Sequence, residues 1–349
     1  MRCRIVWSLC IAGTLFAFRV SFAQGGPAVP VLCYHGFSGD TSAAQGKLTE
    51  SYARFGEMLR FLKDEGYRTM FPEELLRDHA RVEKAIIMTF DDGRKDQLKA
   101  AAMMREYGMR GIFFVVPSRI FGDSSKYLTS RDLALLTQWG HQIGVHGFAH
   151  QSMVESSGET ENVRTLALKT VKEAVPSQSD FPNFAFPFGH YDTSSVALTS
   201  GYFRFLHTVN PGYWDGRSTL LPRLLVTADK PIVFLMDYVK RSSRFKPSLV
   251  RITPDGGIGN VVSFKVTGAV EPIDLSVMAV SADRDGYHYA THTVGDFVSG
   301  SGDSLFFDLR RYIERFYQEK RAVLSYAFVK SHDSSIFYVS SGQTHWVAR

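Results

Sequence analysis

Residues 89–93, Thr-Phe-Asp-Asp-Gly, constrain this chain more than any other stretch, because they follow directly on an apolar run. That run, residues 84–88, reads Lys-Ala-Ile-Ile-Met and predicts a short buried strand. Two adjacent carboxylates at the end of such a strand cost free energy to bury unless they have partners. Aspartate and glycine are also turn formers, so a plain turn is the alternative interpretation. The motif predicts either that turn or a carboxylate site.

A second motif, residues 145–150, reads Val-His-Gly-Phe-Ala-His and follows another apolar patch. On a helix, this spacing would place His146 and His150 on one face. One carboxylate and two histidines are a common set of three protein ligands for a catalytic divalent metal with an open position. The second carboxylate is then free for proton transfer. Since no residue between the histidines can accept a proton, the motif excludes a His-Glu-x-x-His peptidase.

Apolar strands alternate with helical patterns as far as about residue 230. Apolar residues at helical spacing predict a helix over 55–62 that Gly66 ends, and further helices are predicted at 98–107 and 131–139. Strands are predicted at 111–116 and 142–145. This alternation predicts an α/β fold with a mostly parallel sheet or barrel, whose site lies at the carboxyl ends of the strands.

The pattern changes after about residue 246. Residues 261–266 alternate apolar and polar side chains with period two, which is typical of a half-buried strand. Further strands are predicted at 275–280, 322–329 and 335–339. We therefore expect a smaller β-sandwich-like C-terminal module at 246–349, after a first domain at 28–245.

The motifs resemble those of the polysaccharide deacetylases, also called carbohydrate esterase family 4 or NodB-homology enzymes. Residues 89–93 are similar to the first motif of that family, 146–150 to the second, and 187–189, Pro-Phe-Gly, to the third. The resemblance covers roughly residues 28 to 230 and implies a distorted (β/α) barrel. It implies a divalent metal ion, in the first place zinc, with cobalt, nickel or iron as alternatives. The residue roles that it implies are Asp91 as catalytic base, Asp92, His146 and His150 as metal ligands, and the backbone N–H of Phe188 as oxyanion donor.

The third motif departs from the family pattern. It usually carries an arginine ahead of the proline, which orients the base, whereas residues 183–185 here read Asn-Phe-Ala. Arg223, in Leu-Pro-Arg-Leu at 221–224, is a candidate replacement from a later strand. A surface salt bridge is the alternative interpretation of Arg223.

The general acid is the second departure. The family's last motif is Leu-x-His near the end of the domain, and the stretch from 226 to 247 has none. Residues 29–36 form an apolar strand that ends in a histidine, His35, which is similar to a circularly permuted subgroup whose final strand opens the domain. Deacetylases of poly-β-1,6-N-acetylglucosamine belong to that subgroup. The resemblance implies that His35 is the general acid; a strand-ending histidine without a catalytic role, and His207 as the acid, are the alternatives.

Two aromatic residues, Tyr213 and Trp214, follow in a loop that contains proline and glycine. They could stack on a sugar ring or form a wall of an acetyl pocket, in which case they bind substrate. Packing in the core is the alternative.

The first 23 residues predict a signal peptide. They contain a charged start, an apolar stretch over 5–18 and a small-residue cleavage pattern at 21–23. An uncleaved membrane anchor is the alternative. The segment holds three arginines and no acid, so without it the formal charge falls from +5 to +2 and gives no electrostatic case for nucleic-acid binding. Cys33 is then the one remaining cysteine, and we expect it to pack as a small hydrophobe.

Together these features predict a periplasmic or secreted hydrolase that removes acetyl groups from a polysaccharide of N-acetylglucosamine, with poly-β-1,6-N-acetylglucosamine as the expected substrate. An association with exopolysaccharide export machinery fits the same setting. A non-catalytic glycan-binding or export scaffold on this fold is one alternative. An esterase for O-acetyl groups, which would use the same groups, is another.

Overall fold

The computed structural model of this chain describes residues 28–39, 47–77, 84–153, 161–191, 193–210 and 212–242, together with parts of 251–347. The predicted signal peptide at 1–23 lies outside these residues. No helix in the described part of the chain is both long and apolar enough to cross a bilayer.

Short strands and helices alternate through the first 242 residues. The strands are β1 (Val31–Tyr34), β2 (Gly36–Ser38), β3 (Thr49–Ser51), β4 (Arg68–Thr69), β5 (Ala85–Phe90), β6 (Ile112–Val115), β7 (Gln142–Val145), β8 (Asn183–Ala185), β9 (Phe205–His207), β10 (Leu220–Leu221) and β11 (Leu224–Leu225). The helices are α1 (Tyr52–Asp64), α2 (Pro72–Arg77), α3 (Gln97–Glu106), α4 (Ser130–Gln138), α5 (Glu161–Ala174), α6 (Thr193–Ser200) and α7 (Ile232–Ser242). The predicted helices at 55–62, 98–107 and 131–139 and the predicted strands at 111–116 and 142–145 are confirmed within a few residues.

One parallel sheet organises this domain. Its strands follow the order β10-β9-β8-β7-β6-β5-β1-β11, and β4 pairs with β5 beside them. The sheet curls into part of a barrel with helices around it, so the predicted distorted (β/α) barrel is confirmed. Strand β1, the first of these strands in the chain, lies in the sheet between β5 and β11, the last of them.

Helix α1 shows why the sequence forms these elements. The Ser51 side chain accepts the backbone N–H of Arg54 and so caps the helix, and Gly66 follows its end with φ 74°. Its apolar residues recur at intervals of three and four, so they share the face that packs on the sheet. Burying each of them stabilises the fold by about 1.5–3 kcal/mol. They are Phe55, Met58, Leu59 and Leu62.

The inner face of the sheet changes from apolar to polar along each strand. Alternate residues share a face, and along β5 that face carries Ile87 and then Thr89, followed by Asp91. In β1 the face begins with Val31 and continues with Cys33, both fully buried. The apolar half belongs to a core cluster at the amino ends of the strands. The polar half therefore collects at the carboxyl ends, where a barrel places its chemistry.

Eight further strands follow in the C-terminal part of the chain. They are β12 (Arg251–Ile258), β13 (Val261–Thr267), β14 (Leu275–Asp283), β15 (Gly286–Thr293), β16 (Val298–Ser299), β17 (Ser304–Asp308), β18 (Arg321–His332) and β19 (Ser335–Val347). They form two four-stranded antiparallel sheets, in the orders β12-β13-β17-β16 and β15-β14-β18-β19. Two antiparallel sheets are what a β-sandwich-like module requires. The domain boundary near residue 246 stays a prediction.

A buried histidine makes the stability of this domain depend on pH. His141 precedes β7, and its Nδ1 accepts the backbone N–H of Gly111 at 3.1 Å. Its ring packs edge-on against Phe113. Burial lowers the pKa of His141 from 6.5 to about 4. The unfolded chain therefore binds a proton between pH 6.5 and 4 that the folded chain does not.

We expect the free energy of unfolding to fall as the pH drops through this window, by up to about 3 kcal/mol from this residue. His141→Asn keeps an acceptor near Nδ1 but does not titrate. Denaturant unfolding of the variant at pH 7 and pH 4 should show a smaller loss than the wild-type chain shows. Equal losses in the two proteins would contradict this assignment.

Candidate active site

The carboxyl ends of β1, β5 and β7 bring the predicted residues to one edge of the barrel. Asp91 and Asp92 follow β5, His146 follows β7, and His35 follows β1. Since β1 and β5 are parallel neighbours with Tyr34 opposite Phe90, the two chains leave the sheet side by side.

Asp91 is held by a bidentate ion pair with Arg223. The guanidinium Nη1 and Nη2 atoms donate to Oδ1 and Oδ2 at 2.7 and 2.8 Å. Arg223 is fully buried, and Asp91 is 1% exposed. Burial alone would raise the pKa of Asp91, but the charge of Arg223 and its hydrogen bonds outweigh this effect and hold the pKa well below its usual range. Asp91 is therefore a carboxylate with a fixed orientation.

The rest of the Arg223 guanidinium is also paired. Its Nε donates to the Thr208 carbonyl at 2.8 Å, and Nη1 lies 3.1 Å from the Thr89 hydroxyl. That hydroxyl donates to the Leu32 carbonyl of β1 at 2.8 Å. A buried guanidinium with this many partners is an interior group of the barrel. The alternative interpretation of Arg223, a surface salt bridge, is wrong.

Cys33 of β1 and His35, which follows β1, lie next to the Asp91 carboxylate. The Cys33 thiol points at Asp91 Oδ2 from 3.5 Å and lies 3.9 Å from His35 Nδ1. Ligand-type atoms of Cys33, His35 and Asp91 all lie within 4.8 Å of one another. Burial raises the pKa of the thiol well above its usual value, so Cys33 is neutral and can donate to Asp91. The expectation that Cys33 packs as a small hydrophobe holds for its burial but misses this contact.

Opposing effects act on the pKa of His35. Its side chain is 7% exposed. Burial lowers its pKa, whereas the negative charges of Asp91 and Asp92 oppose this change. His35 thus faces both carboxylates from the neighbouring strand.

Asp92, His146 and His150 form the second cluster of the site. Asp92 Oδ1 lies 3.0 Å from His150 Nε2 and 3.8 Å from His146 Nε2, and donor atoms of the three residues lie within 4.8 Å of one another. His146 Nδ1 donates to the Ala185 carbonyl at 2.8 Å, which leaves the lone pair of Nε2 facing the cluster. Burial lowers the pKa of His146 to about 4, so the ring is neutral.

This cluster fits a divalent metal ion. Within the described part of the chain, Asp92 Oδ1 is buried and accepts no hydrogen bond, although two imidazole nitrogens face it. One carboxylate oxygen and two imidazole nitrogens are the donors that zinc and related metals take in catalytic sites. Asp92, His146 and His150 are the residues that would hold the ion.

The backbone of the site is held in unusual conformations. Four non-glycine residues in the described ranges have φ in the left-handed region, and three of them, Asp92, His150 and Phe188, belong to the site. Such conformations are costly and persist where the surroundings fix them. Residues 147–149 form a turn, with Gly147 at φ 64°, so the two histidines do not lie on a helix. A right-handed helix requires negative φ, and the turn brings the rings together instead, with centroids 5.0 Å apart.

Phe188 lies in a short helical turn after β8. No acceptor for its backbone N–H is found among the described residues. Its ring is 38% exposed and lies 4.4 Å from the His150 ring, measured between centroids. The Phe188 ring thus lies beside His150, and the role of the Phe188 N–H as oxyanion donor stays a prediction.

Two sequence-predicted substrate residues lie elsewhere. Trp214 is fully buried, and its Nε1 donates to the Ser218 carbonyl. It pairs with Val29 at the amino end of β1, the end opposite His35. Tyr213 is 7% exposed, and its hydroxyl donates to the Tyr238 carbonyl at 2.6 Å. Core packing explains both rings, and the prediction that they bind substrate is wrong.

His207, the alternative general acid, is also buried away from the mouth of the site. Its Nε2 bonds to Asn183 Oδ1 at 2.9 Å, and its ring packs edge-on against Phe114. Burial lowers its pKa well below the usual value. A fully buried ring with this packing does not reach a substrate.

Besides the Cys33 contact, sequence reasoning missed two residues that support Asp91. One is Thr89, whose hydroxyl accepts a hydrogen bond from the Arg223 guanidinium that holds Asp91. The other is Gln97, whose side chain donates to the Asp91 carbonyl. Gln97 could have been found from its position, because it continues the buried face of α3 formed by Ala100, Ala101 and Met104.

Comparisons with known proteins agree with this architecture. Residues 78–202 match the sequence model of a family described as polysaccharide deacetylase. The Bacillus subtilis protein YxkH, named as a member of the polysaccharide deacetylases, is 27% identical over 183 residues, which cover 50% of this chain and 62% of that protein. This chain thus spans less than two thirds of the length of that relative.

Solved structures show the same fold. A polysaccharide deacetylase from Bacillus cereus superposes with a TM-score of 0.55 at 22% identity, covering 61% of this chain and 69% of that one. The Streptococcus pyogenes deacetylase PplD, solved in complex with acetate, gives a TM-score of 0.54 at 20% identity and covers 61% and 98% of the two chains.

The Asp91–Arg223 pair generates a stability prediction. Arg223→Met leaves Asp91 buried without its partner, and we expect it to lower the free energy of unfolding by about 3–5 kcal/mol. Adding Asp91→Leu should restore much of that loss, since it removes the unpaired charge. Denaturant unfolding of both single variants and the double variant measures the coupling. Additive losses would show that the two side chains do not depend on each other.

Proposed function

We propose that this chain is a metal-dependent hydrolase that cleaves the acetamide of an N-acetylglucosamine-containing polysaccharide and releases acetate, and the match of residues 78–202 to the polysaccharide deacetylase family model supports this proposal. Poly-β-1,6-N-acetylglucosamine is the proposed substrate, as in the circularly permuted subgroup. The bond that breaks joins the acetyl carbonyl to the sugar nitrogen, and the second product is a glucosamine unit.

The observation that carries this proposal is the division of two adjacent carboxylates between two environments. Asp91 is bound by Arg223 in the barrel interior and lies 4.0 Å from His146 Nε2, whereas Asp92 lies against both His146 and His150, with its Oδ1 3.0 Å from His150 Nε2. A protein that only binds glycans gains nothing from a fixed carboxylate beside a metal cluster. The third motif lacks the arginine that orients the base in the family, and Arg223 binds both oxygens of Asp91 from a later strand, which supports an active enzyme over a scaffold.

The proposed chemistry gives each group one task. A divalent ion held by Asp92, His146 and His150 would lower the pKa of water and polarise the acetamide carbonyl. Asp91 accepts the proton of the attacking water, and Arg223 keeps its carboxylate oriented for this step. The Phe188 N–H donates to the oxygen on which negative charge develops.

The leaving nitrogen needs a proton, and His35 is the proposed donor. Nitrogen, sulfur and oxygen atoms of His35, Cys33 and Asp91 lie within 4.8 Å of one another. At this separation, one bridging group between the two side chains is enough for a proton to pass from Asp91, the base, to His35, the acid. The proton taken from water therefore ends on the departing amine. Histidine is the side chain best matched to proton donation near neutral pH.

The order of the strands supports the permuted subgroup. Strand β1, which His35 follows, is the first of the described strands in the chain. It nevertheless pairs with β11, the last strand of the parallel sheet. The signal-peptide pattern of residues 1–23 supports the periplasm or the exterior of the cell as the proposed setting. Exopolysaccharide export is the process with which we propose that the protein is associated.

Metal dependence tests the proposal. We expect a chelator to abolish acetate release from β-1,6-linked N-acetylglucosamine oligomers, and Zn²⁺ or Co²⁺ to restore it. Asp92→Ala and His146→Ala should lose the bound metal, since each removes a ligand. Asp91→Asn is the matched control, because it should retain the metal and lose turnover. Full activity of metal-free protein would refute the proposal.

The role of His35 has a separate test. His35→Ala should keep the metal content and lower kcat for an acetamide by roughly 10²–10⁴-fold. An activated aryl acetate, whose leaving group needs no proton, should be affected much less, so the two substrates compared in one variant isolate the acid step. Equal losses on both would mean that His35 has another role.

A further inference from the structure

Gln97 is a buried polar residue at a position where the helix pattern calls for an apolar one. It begins α3, and it shares the buried face with Ala100, Ala101 and Met104. Its side chain is fully buried. A polar group placed there must be bonded, or it destabilises the fold.

The Gln97 amide bonds two backbone carbonyls of the site. Its Nε2 donates to the His35 carbonyl at 2.8 Å and to the Asp91 carbonyl at 2.5 Å. These two N–H bonds use both donors of the amide. Gln97 therefore joins the residues that we propose as general acid and general base.

This bridge stands where the sheet ends. The last hydrogen bond between β1 and β5 runs from the Asp91 N–H to the Tyr34 carbonyl at 2.9 Å. Beyond it the chains separate, since Gly36 turns to β3 and Asp92 adopts φ 77°. Past that point, no backbone hydrogen bond of the described sheet joins the two strand ends. The Gln97 side chain joins them instead.

The bond to the Asp91 carbonyl also acts on Asp92. That carbonyl belongs to the peptide plane that joins Asp91 to Asp92, so fixing it fixes one side of the left-handed turn at Asp92. This turn sends the Asp92 side chain to the histidines while Asp91 faces Arg223. The orientation of that one peptide plane therefore decides the division of tasks between the two carboxylates.

We propose that Gln97 is a positioning residue, which holds the ends of β1 and β5 at a fixed separation and sets the Asp91–Asp92 peptide plane. It acts through both proposed catalytic groups and through one metal ligand without touching substrate or metal. This inference rests on the proposed function for its kinetic part, but its metal-binding part does not.

Gln97→Met tests it, because methionine matches the length and shape of glutamine and donates no hydrogen bond. We expect kcat for the acetamide to fall by about 10–100-fold with KM unchanged, as small misplacements of catalytic groups do. The affinity of the metal-free protein for Co²⁺, measured by spectroscopic titration, should fall by about 10–100-fold, as it does when outer partners of metal ligands are removed.

Gln178→Met is the matched control. The Gln178 amide also bonds two backbone carbonyls, those of Ile143 and Asp180, at 2.8 Å each and away from the site. It should lose thermal stability but keep kcat and Co²⁺ affinity. Equal losses of kcat and Co²⁺ affinity in the two variants, or wild-type values in Gln97→Met, would overturn the proposal.

Two further outcomes remain distinguishable. If the unaltered protein releases no acetate, the proposed function fails, and the Co²⁺ titrations of the two variants still decide the role of Gln97. If Gln97→Met does not fold, Gln97→Asn replaces it, since its shorter amide cannot reach both carbonyls. Wild-type kcat and Co²⁺ affinity in Gln97→Asn would then overturn the proposal.

Discussion

The buried ion pair between Asp91 and Arg223 is the constraint on which the rest of the site depends. A carboxylate that is 1% exposed cannot remain charged in a barrel interior without a partner of this quality. Arg223 binds both oxygens of Asp91 and fixes this carboxylate 4.0 Å from His146 Nε2, whereas Asp92 lies 3.8 Å from His146 Nε2 and 3.0 Å from His150 Nε2. In the proposed mechanism, this arrangement assigns proton transfer to Asp91 and metal binding to Asp92, two residues joined by one peptide unit.

This separation works because polarity is graded along the strands. Apolar residues fill the interior at the amino ends, and the same faces become polar towards the carboxyl ends. Cys33 illustrates the transition, as it packs in β1 like a hydrophobe and still donates to Asp91. Because of this gradient, the charged groups lie on an apolar interior that excludes water. The low local dielectric strengthens the hydrogen bonds and ion pairs among them.

The sequence predicts the local parts of this architecture well and the long-range parts poorly. The strands before Asp91 and His146 follow from apolar runs, and the motifs bring both clusters to the correct edge of the barrel. Arg223 could be suspected but not assigned, because its contact with Asp91 joins strands that only the closed sheet brings together. The turn at 147–149 could not be told from a helix by sequence, since a spacing of four residues does not distinguish the two. Trp214 was misread as a binding residue, because an aromatic residue in a loop does not reveal which side of the barrel it faces.

The position of β1 has a consequence for how the barrel forms. Leu32 pairs with Leu224, about 190 residues later in the chain, and β1 pairs with β5 on its other side. A contact of such sequence separation is slow to form, because the loop entropy is lost before the strands gain their bonds. The strand β1 must therefore wait for β11, the last strand of the parallel sheet along the chain. Until β11 brings Arg223 into the sheet, one edge of β1 stays open and the charge of Asp91 has no partner, so the closed sheet and the Asp91–Arg223 ion pair form in the same step.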